Sequence, residues 1–130
     1  MKEAYDFLKK CGVFYLATID NDKPRVRPFG AINIYNNKLY FQTGKSKNVS
    51  KQIEINPNVE ICGFFDGKWI RIEGILVRDE TRDAKKSMLD NNPELRSMYS
   101  EDDDNTEVLY FESAKAVISS FTEPPKTIEF

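Results

Sequence analysis

Apolar residues recur with helical spacing at the start of the chain. Ala4, Phe7, Leu8 and Cys11 fall at i, i+3, i+4 and i+7, which predicts an amphipathic helix over residues 3–11. The pattern then changes. "VFYLATI" (13–19) is β-rich and apolar almost throughout, the mark of a strand buried on both faces. A turn at "DNDK" leads into "RVRPFGAINIY" (25–35), read as one strand. Arg25, Arg27, Phe29, Ala31 and Asn33 share one face of it; Val26, Ile32 and Ile34 share the other. Pro28 and Gly30 predict a bulge or bend within that strand. "NN" at 36–37 suits a two-residue hairpin turn, and "KLYFQTG" returns as its paired strand.

A short helix is expected over 46–55, closed by "NP" at 56–57. "VEICGFF" (59–65), "DGK" and "WIRIEGILVRD" (69–79) make a second hairpin. A charged helix over 81–91 follows, then a turn near residues 93–99 and the loop "SEDDDNTE". "VLYFE" and "AKAVISSF" are the last strands, and "TEPPKTIEF" is a tail. Hairpins dominate and the helices are short. The expectation is one mainly β domain over residues 1–130, an antiparallel barrel with peripheral helices, because closure removes exposed sheet edges.

Composition narrows the chemistry. Of 130 residues, 40% are hydrophobic and 31% charged, as in an ordinary globular domain. No apolar run approaches the ~20 residues that span a bilayer, and the charged N-terminus does not read as a signal peptide. A cytoplasmic protein is expected, with Cys11 and Cys62 as two buried thiols rather than a disulfide. Histidine is absent, which removes Ser-His-Asp and Cys-His catalysis, histidine metal sites and the commonest base near neutral pH. No catalytic side chain stands out, so difficult chemistry would fall to a cofactor. "EDDDNTE" lacks the spacing and glycine of a calcium loop, and no metal site is expected. Tyr40, Phe41, Phe64 and Phe65 read as core aromatics.

Charge is unevenly placed. Residues 23–53 contain no acid and carry +7, within a chain of net charge −2. One cationic segment in an acidic protein fits a local anion such as phosphate better than nucleic acid. "TGKSKN" (43–48) ends a strand and opens a helix. The first N–H groups of a helix attract anions. Thr43 and Ser46 supply hydroxyls, Lys45 and Lys47 supply charge, and Arg25 and Arg27 are expected one hairpin turn away, on the strand paired with "KLYFQT". A solvated helix cap would use the same residues, so spacing alone leaves both readings open.

The ordered set "FYLATIDNDKPRVRPFG…LYFQTGKSKNVSKQIEINPNVEIC…WIRIEG" resembles the FMN-binding split-barrel family related to pyridoxamine 5′-phosphate oxidase, and within it the small nitroimidazole-reductase-like members. The resemblance implies a six-stranded antiparallel split barrel, dimeric, with FMN at the subunit interface. By position, Arg25, Val26, Arg27 and Pro28 would line the flavin. Gln42 and Thr43 would contact ring and ribityl-phosphate. Lys45, Ser46, Lys47 and Asn48 would hold the phosphate. Trp69 and Arg71 would approach the flavin of the other subunit. The family's phosphate-binding cation falls near Val49, which leaves Lys45, Lys47 or Lys51 as its substitute. The histidine-containing motifs of true pyridoxamine-phosphate oxidases and of nitroimidazole reductases are missing. The implied function is an FMN-dependent oxidoreductase that passes electrons from a reduced nicotinamide to a small acceptor. The alternative is a non-catalytic flavin- or haem-binding carrier or sensor on the same barrel.

Overall fold

The computed structural model describes residues 1–130. It contains three α-helices and eight strands: α1 (Lys2–Cys11), β1 (Phe14–Asp20), β2 (Lys23–Phe29), β3 (Ile32–Tyr35), β4 (Lys38–Gly44), α2 (Asn48–Ile55), β5 (Asn58–Phe65), β6 (Lys68–Asp79), α3 (Arg82–Asn91), β7 (Thr106–Ser120) and β8 (Lys126–Glu129), with a 3-10 turn at Pro93–Ser97. The strand order is β2-β1-β5-β6-β7-β4-β3, with β8 added on β7. All pairs are antiparallel. The fold is the mainly β split barrel that the sequence implies, with eight strands in place of six.

Residues 25–35 are two strands, not one. β2 pairs with β1 and β3 with β4, at opposite ends of the strand order. Only Gly30 and Ala31 connect them. Two residues reach less than ~11 Å, so the ends of the sheet must approach each other there, and the sheet curls into a barrel although β2 and β3 do not pair. Gly30 passes close to the end of α1, where a Cβ would stand 3.4 Å from the Gly12 carbonyl oxygen, an ordinary contact distance. The arginines of β2 therefore lie beside β1, not beside "KLYFQT" as expected.

The remaining differences share one cause, pairing at long range. "VLYFE" and "AKAVISSF" fuse into the single strand β7, because β6 pairs along it from Asp79 to Lys68, with one register shift between Ile75 and Leu76. The tail is recruited as β8, and Phe130 exchanges two backbone hydrogen bonds with Ala114. Helix α2 starts at Asn48 rather than residue 46, because Lys47 is still extended.

The barrel interior is apolar. Leu16, Ile61, Ile72 and Ala116 sit side by side across β1, β5, β6 and β7, all fully buried. Phe14, Phe41 and Phe111, from three different strands, meet edge-on at 5.9 and 5.3 Å between ring centroids. Their burial is worth ~1.5–3 kcal/mol each. The other sheet face is not covered. Tyr15, Ile19, Val26, Phe64 and Phe121 are exposed on it, and Phe65, which points to the opposite side at the end of β5, is exposed as well. So β1 is buried on one face only, and Phe64 and Phe65 are surface residues rather than core. The two cysteines also differ from expectation. Both are free, but Cys11 is half-buried and Cys62 is exposed on that outer face. No helix is long and apolar enough to cross a membrane.

Candidate functional site

β2 carries residues with no apolar role: Lys23, Arg25 and Arg27 alternate with Pro24, Val26 and Pro28. It is an edge strand, where proline costs no ladder bond. On its inner side Arg27 lies under helix α2. Its Nη1 donates to the Thr18 hydroxyl at 2.7 Å and to the Leu16 carbonyl at 3.2 Å, and its Nη2 donates to Gln52 Oε1 at 2.7 Å. Thr18 Oγ1 donates to the same Gln52 oxygen at 2.6 Å. Burial, and then the neighbouring Arg25, push the Arg27 guanidinium below its ordinary value, yet it stays charged. No carboxylate pairs with it. Arg25 by contrast donates from Nε to Asp20 Oδ2 at 3.0 Å.

Beside these arginines opens a cavity of ≈ 1000 Å³. It collects Arg25, Val26, Arg27 and Pro28 from β2, Gln42 and Thr43 from β4, and Lys47, Asn48, Val49 and Gln52 at the start of α2. Gln42 is only 7% exposed, yet neither its Nε2 nor its Oε1 has a hydrogen-bond partner. An orphaned buried amide costs ~1–3 kcal/mol, so such a group calls for a ligand or water. It presents one donor and one acceptor side by side, the complement of a cyclic imide edge.

The structure separates the expected site residues into three groups. Arg25, Val26, Arg27, Pro28, Gln42, Thr43, Lys47 and Asn48 line the cavity. Lys45, Ser46 and Lys51 do not. Lys45 Nζ is held by Glu80 at 3.0 Å, and the Ser46 N–H donates to Asn105 Oδ1 at 3.0 Å. Lys51 lies on a small adjoining pocket with Asp20 and Asn48. Trp69 and Arg71 lie on the outer sheet face, where Arg71 pairs with Glu60 at 2.8 Å.

Two contributions escaped the sequence. Gln52 is one, although its place one helical turn after Asn48 was a usable signal. The other is the wall Glu94, Leu95, Met98 and Tyr99, which local pattern marks only as a turn. Asn92 fixes that wall: its buried Nδ2 donates to the carbonyls of Ile32 and Met88, each at 3.1 Å. Arg96 braces it from outside, bonded to Asp90 at 2.6 Å and Glu101 at 2.8 Å. A second ion-pair system lies behind α2. The fully buried Glu107 accepts from Ser50 Oγ at 3.0 Å and pairs with Arg78 at 2.6 Å.

A wider groove of ≈ 1070 Å³ runs over the outer face between Ala17, Glu60, Glu73 and Lys115. It holds no orphaned buried group, so the smaller cavity is the better ligand site.

Comparison with known proteins agrees with this geometry. The family description "Pyridoxamine 5′-phosphate oxidase" matches residues 1–116. A NimC/NimA family protein from Clostridium acetobutylicum is 45% identical, superposes with a TM-score of 0.98, and is covered over 92% of its length by 100% of this chain. A pyridoxamine 5′-phosphate oxidase-related, FMN-binding protein from Nostoc punctiforme shares the fold at 13% identity and TM-score 0.61, with 99% of this chain and 94% of that one covered. So does a haem-binding protein from Mycobacterium smegmatis, at 14% identity and TM-score 0.74, with 97% of this chain and 56% of that one covered. A search of curated proteins returned no match. The family match over most of the chain, and the near-complete superposition on the clostridial protein, lead to one conclusion: the chain belongs to the pyridoxamine 5′-phosphate oxidase family and has its split-barrel fold.

Proposed function

We propose that the protein is an FMN-dependent oxidoreductase, and that FMN occupies the cavity between β2, β4 and the start of α2. The observation that carries this is Gln42. Its buried amide lacks partners, and Gln42 lines a cavity that also holds two arginines and Lys47. The imide edge of the flavin supplies the donor and acceptor that Gln42 lacks. The phosphate end falls to Lys47 and the first N–H groups of α2, because Lys45 is occupied by Glu80. Arg27, with no carboxylate partner, favours negative charge in the cavity.

When bound, the flavin supplies the electron-transfer chemistry, from a reduced nicotinamide to a small acceptor. The chain binds it, orients it and sets the charge around it. No side chain need act as nucleophile.

Homodimerisation belongs to the same reading. Pro28, Tyr15, Cys62, Arg71 and Val117 form one outward row across β2, β1, β5, β6 and β7. A second copy packed on this face would cover its exposed aromatics and bring Trp69 and Arg71 toward the partner's cavity. Two free thiols suit a reducing compartment, so we place the protein in the cytoplasm.

The test is a visible absorption spectrum of natively purified protein, with the released cofactor identified by mass. FMN at about one per chain supports the reading. Protein that is colourless and takes up no added FMN overturns it. Steady oxidation of a nicotinamide by the loaded protein separates an enzyme from a carrier.

A further inference from the structure

Every group that holds Arg27 is neutral. Its guanidinium donates to the Thr18 hydroxyl, the Leu16 carbonyl and the Gln52 amide oxygen. Thr18 donates in turn to that same oxygen. Arg25, two residues away on the same strand, has the usual arrangement, an ion pair with Asp20 at 3.0 Å. Position 52 is where a counter-charge for Arg27 would stand. Gln52 Oε1 lies 2.7 Å from Nη2, the distance of a charge-assisted bond to a carboxylate. Glutamate matches glutamine in length and shape, and the two suit a helix about equally. The amide therefore gives Arg27 an acceptor and a fixed place, yet leaves its charge unneutralised. Arg27 lines the cavity together with Gln42. It is half-buried, so its field is screened less than that of an exposed cation.

From this we infer that Gln52 is a positioning residue whose neutrality sets the reduction potential of the bound flavin, by holding Arg27 as an unpaired cation at the cavity. The inference rests on the flavin reading and goes beyond it. Reduction adds two electrons to the ring, with one proton to leave an anion or two to leave it neutral. A fixed positive charge stabilises the anion over the oxidised and the neutral reduced forms. Reduced FMN then binds more tightly and the potential rises. The other charged or titratable groups around Arg27 and the cavity are Arg25 and Asp20, which pair with each other, Lys47, Lys51, Glu94 and Tyr99. All of them stay the same when position 52 or 27 is changed.

The experiment is a redox titration of the full chain loaded with FMN, with dithionite as reductant and a reference dye, repeated at several pH values. Visible spectra first give the FMN content of each protein. Gln52→Glu keeps the acceptor and adds the missing counter-charge. It should weaken the binding of reduced FMN about ten-fold relative to oxidised FMN, which for a two-electron couple is a fall of about 30 mV. Arg27→Gln should lower the potential similarly, and Arg27→Lys, which keeps the charge, should stay nearer the native value. Gln52→Ala removes the acceptor without adding charge and should shift the potential by less than half as much. The potential falls less steeply with pH once the reduced ring is an anion. That break should come at higher pH in Gln52→Glu than in the native protein. FMN-loaded protein whose potential is unmoved by Gln52→Glu overturns the inference alone, as does an equal fall in Gln52→Ala and Gln52→Glu, the mark of a merely structural role. Should Gln52→Glu fail to fold, an unmoved potential in Arg27→Gln is equally decisive against it. Protein that takes up no FMN overturns the cofactor reading, and this inference with it.

Discussion

Arg27 and Gln52 are joined by a 2.7 Å hydrogen bond from Nη2 to Oε1 that ties strand β2 to helix α2. The Thr18 hydroxyl donates to the same oxygen at 2.6 Å. One side-chain carbonyl thus fixes the spacing between the arginine strand and the helix N-terminus. Gln52→Ala leaves both donors without their acceptor, at a cost of ~1–3 kcal/mol. Thermal unfolding should fall by about 3–5 °C per kcal/mol lost in a domain of this size. Gln52→Glu keeps an acceptor and should recover most of the loss. Differential scanning calorimetry of the two variants checks it. Equal destabilisation by both would remove the acceptor role.

The lysines of "TGKSKN" should separate. Lys47 lines the cavity, whereas Lys45 is paired with Glu80 outside it. Lys47→Met should weaken FMN binding about five- to ten-fold, the worth of one charge-assisted contact in a half-exposed site, with riboflavin affinity unchanged. Lys45→Met should leave both affinities within about two-fold, since it removes only an exposed ion pair. Flavin fluorescence titrations with FMN and riboflavin read the four values directly.

Glu107 is fully buried and relies on Arg78 and Ser50. Its replacement by alanine leaves the Arg78 guanidinium only the more distant Glu80, at 3.8 Å, and opens a cavity, at a cost of ~1–3 kcal/mol. The double change Glu107→Leu with Arg78→Leu removes both charges and should cost far less, because burying a matched pair gains little over apolar packing. Urea denaturation of the single and double variants gives the coupling; additive losses would contradict it.

Asp103 carries an acid-sensitive element. Burial works to raise its pKa, but N–H donors from Thr106, Ser100 and Asn105 and the Thr106 hydroxyl outweigh it and hold the carboxyl at about 2. A folded-state pKa below the unfolded value stabilises the protein above the unfolded pKa, and that contribution disappears as pH falls through the folded one. The loss should therefore fall between about pH 4 and pH 2. In Asp103→Asn this part of the acid dependence should flatten. Stability measured by denaturant at several acidic pH values would reveal an unchanged slope if the contribution lies elsewhere.

Gly74 faces the β7 backbone at the register shift. A Cβ there would stand 2.4 Å from the Ser113 carbonyl oxygen and 2.9 Å from the Phe111 ring. Backbone cannot yield as a side-chain tip can, so Gly74→Ala should destabilise by ~1–3 kcal/mol or more. Gly67→Ala, in an open turn with nothing within 4 Å, loses only the freedom its positive φ of 74° requires and should cost less. The order of the two unfolding midpoints is the test.

Much of the fold was legible locally, because its signals are short-range. The Asn36 and Asn37 turn was readable since both residues adopt the positive φ that asparagine tolerates. The 81–91 helix was readable, and Thr81 accepts the Ala84 N–H as its cap. The split of residues 25–35 was not. Pro28 and Gly30 announced an interruption, but whether the chain bends or changes partner depends on which strand lies alongside, and that strand is set by the whole sheet. Phe64 and Tyr15 misled for the same reason: β-rich apolar residues look alike whether the face they occupy is covered or open.

The cavity divides in the same way. The types of residue that line it on β2, β4 and α2 were present as short motifs, because each motif combines backbone geometry with one kind of side chain. Which lysine faces inward, how Gln52 grips Arg27, and that Glu94, Met98 and Tyr99 close the far side were decided only by tertiary structure. The sequence by itself determined the elements, the cationic segment and the absence of any histidine chemistry, since these follow from local propensity and composition. Only the closed barrel determined the site, because it brings Tyr99 against Gly44 and Gln52 against Arg27, and no local preference encodes contacts made across such separations in the chain.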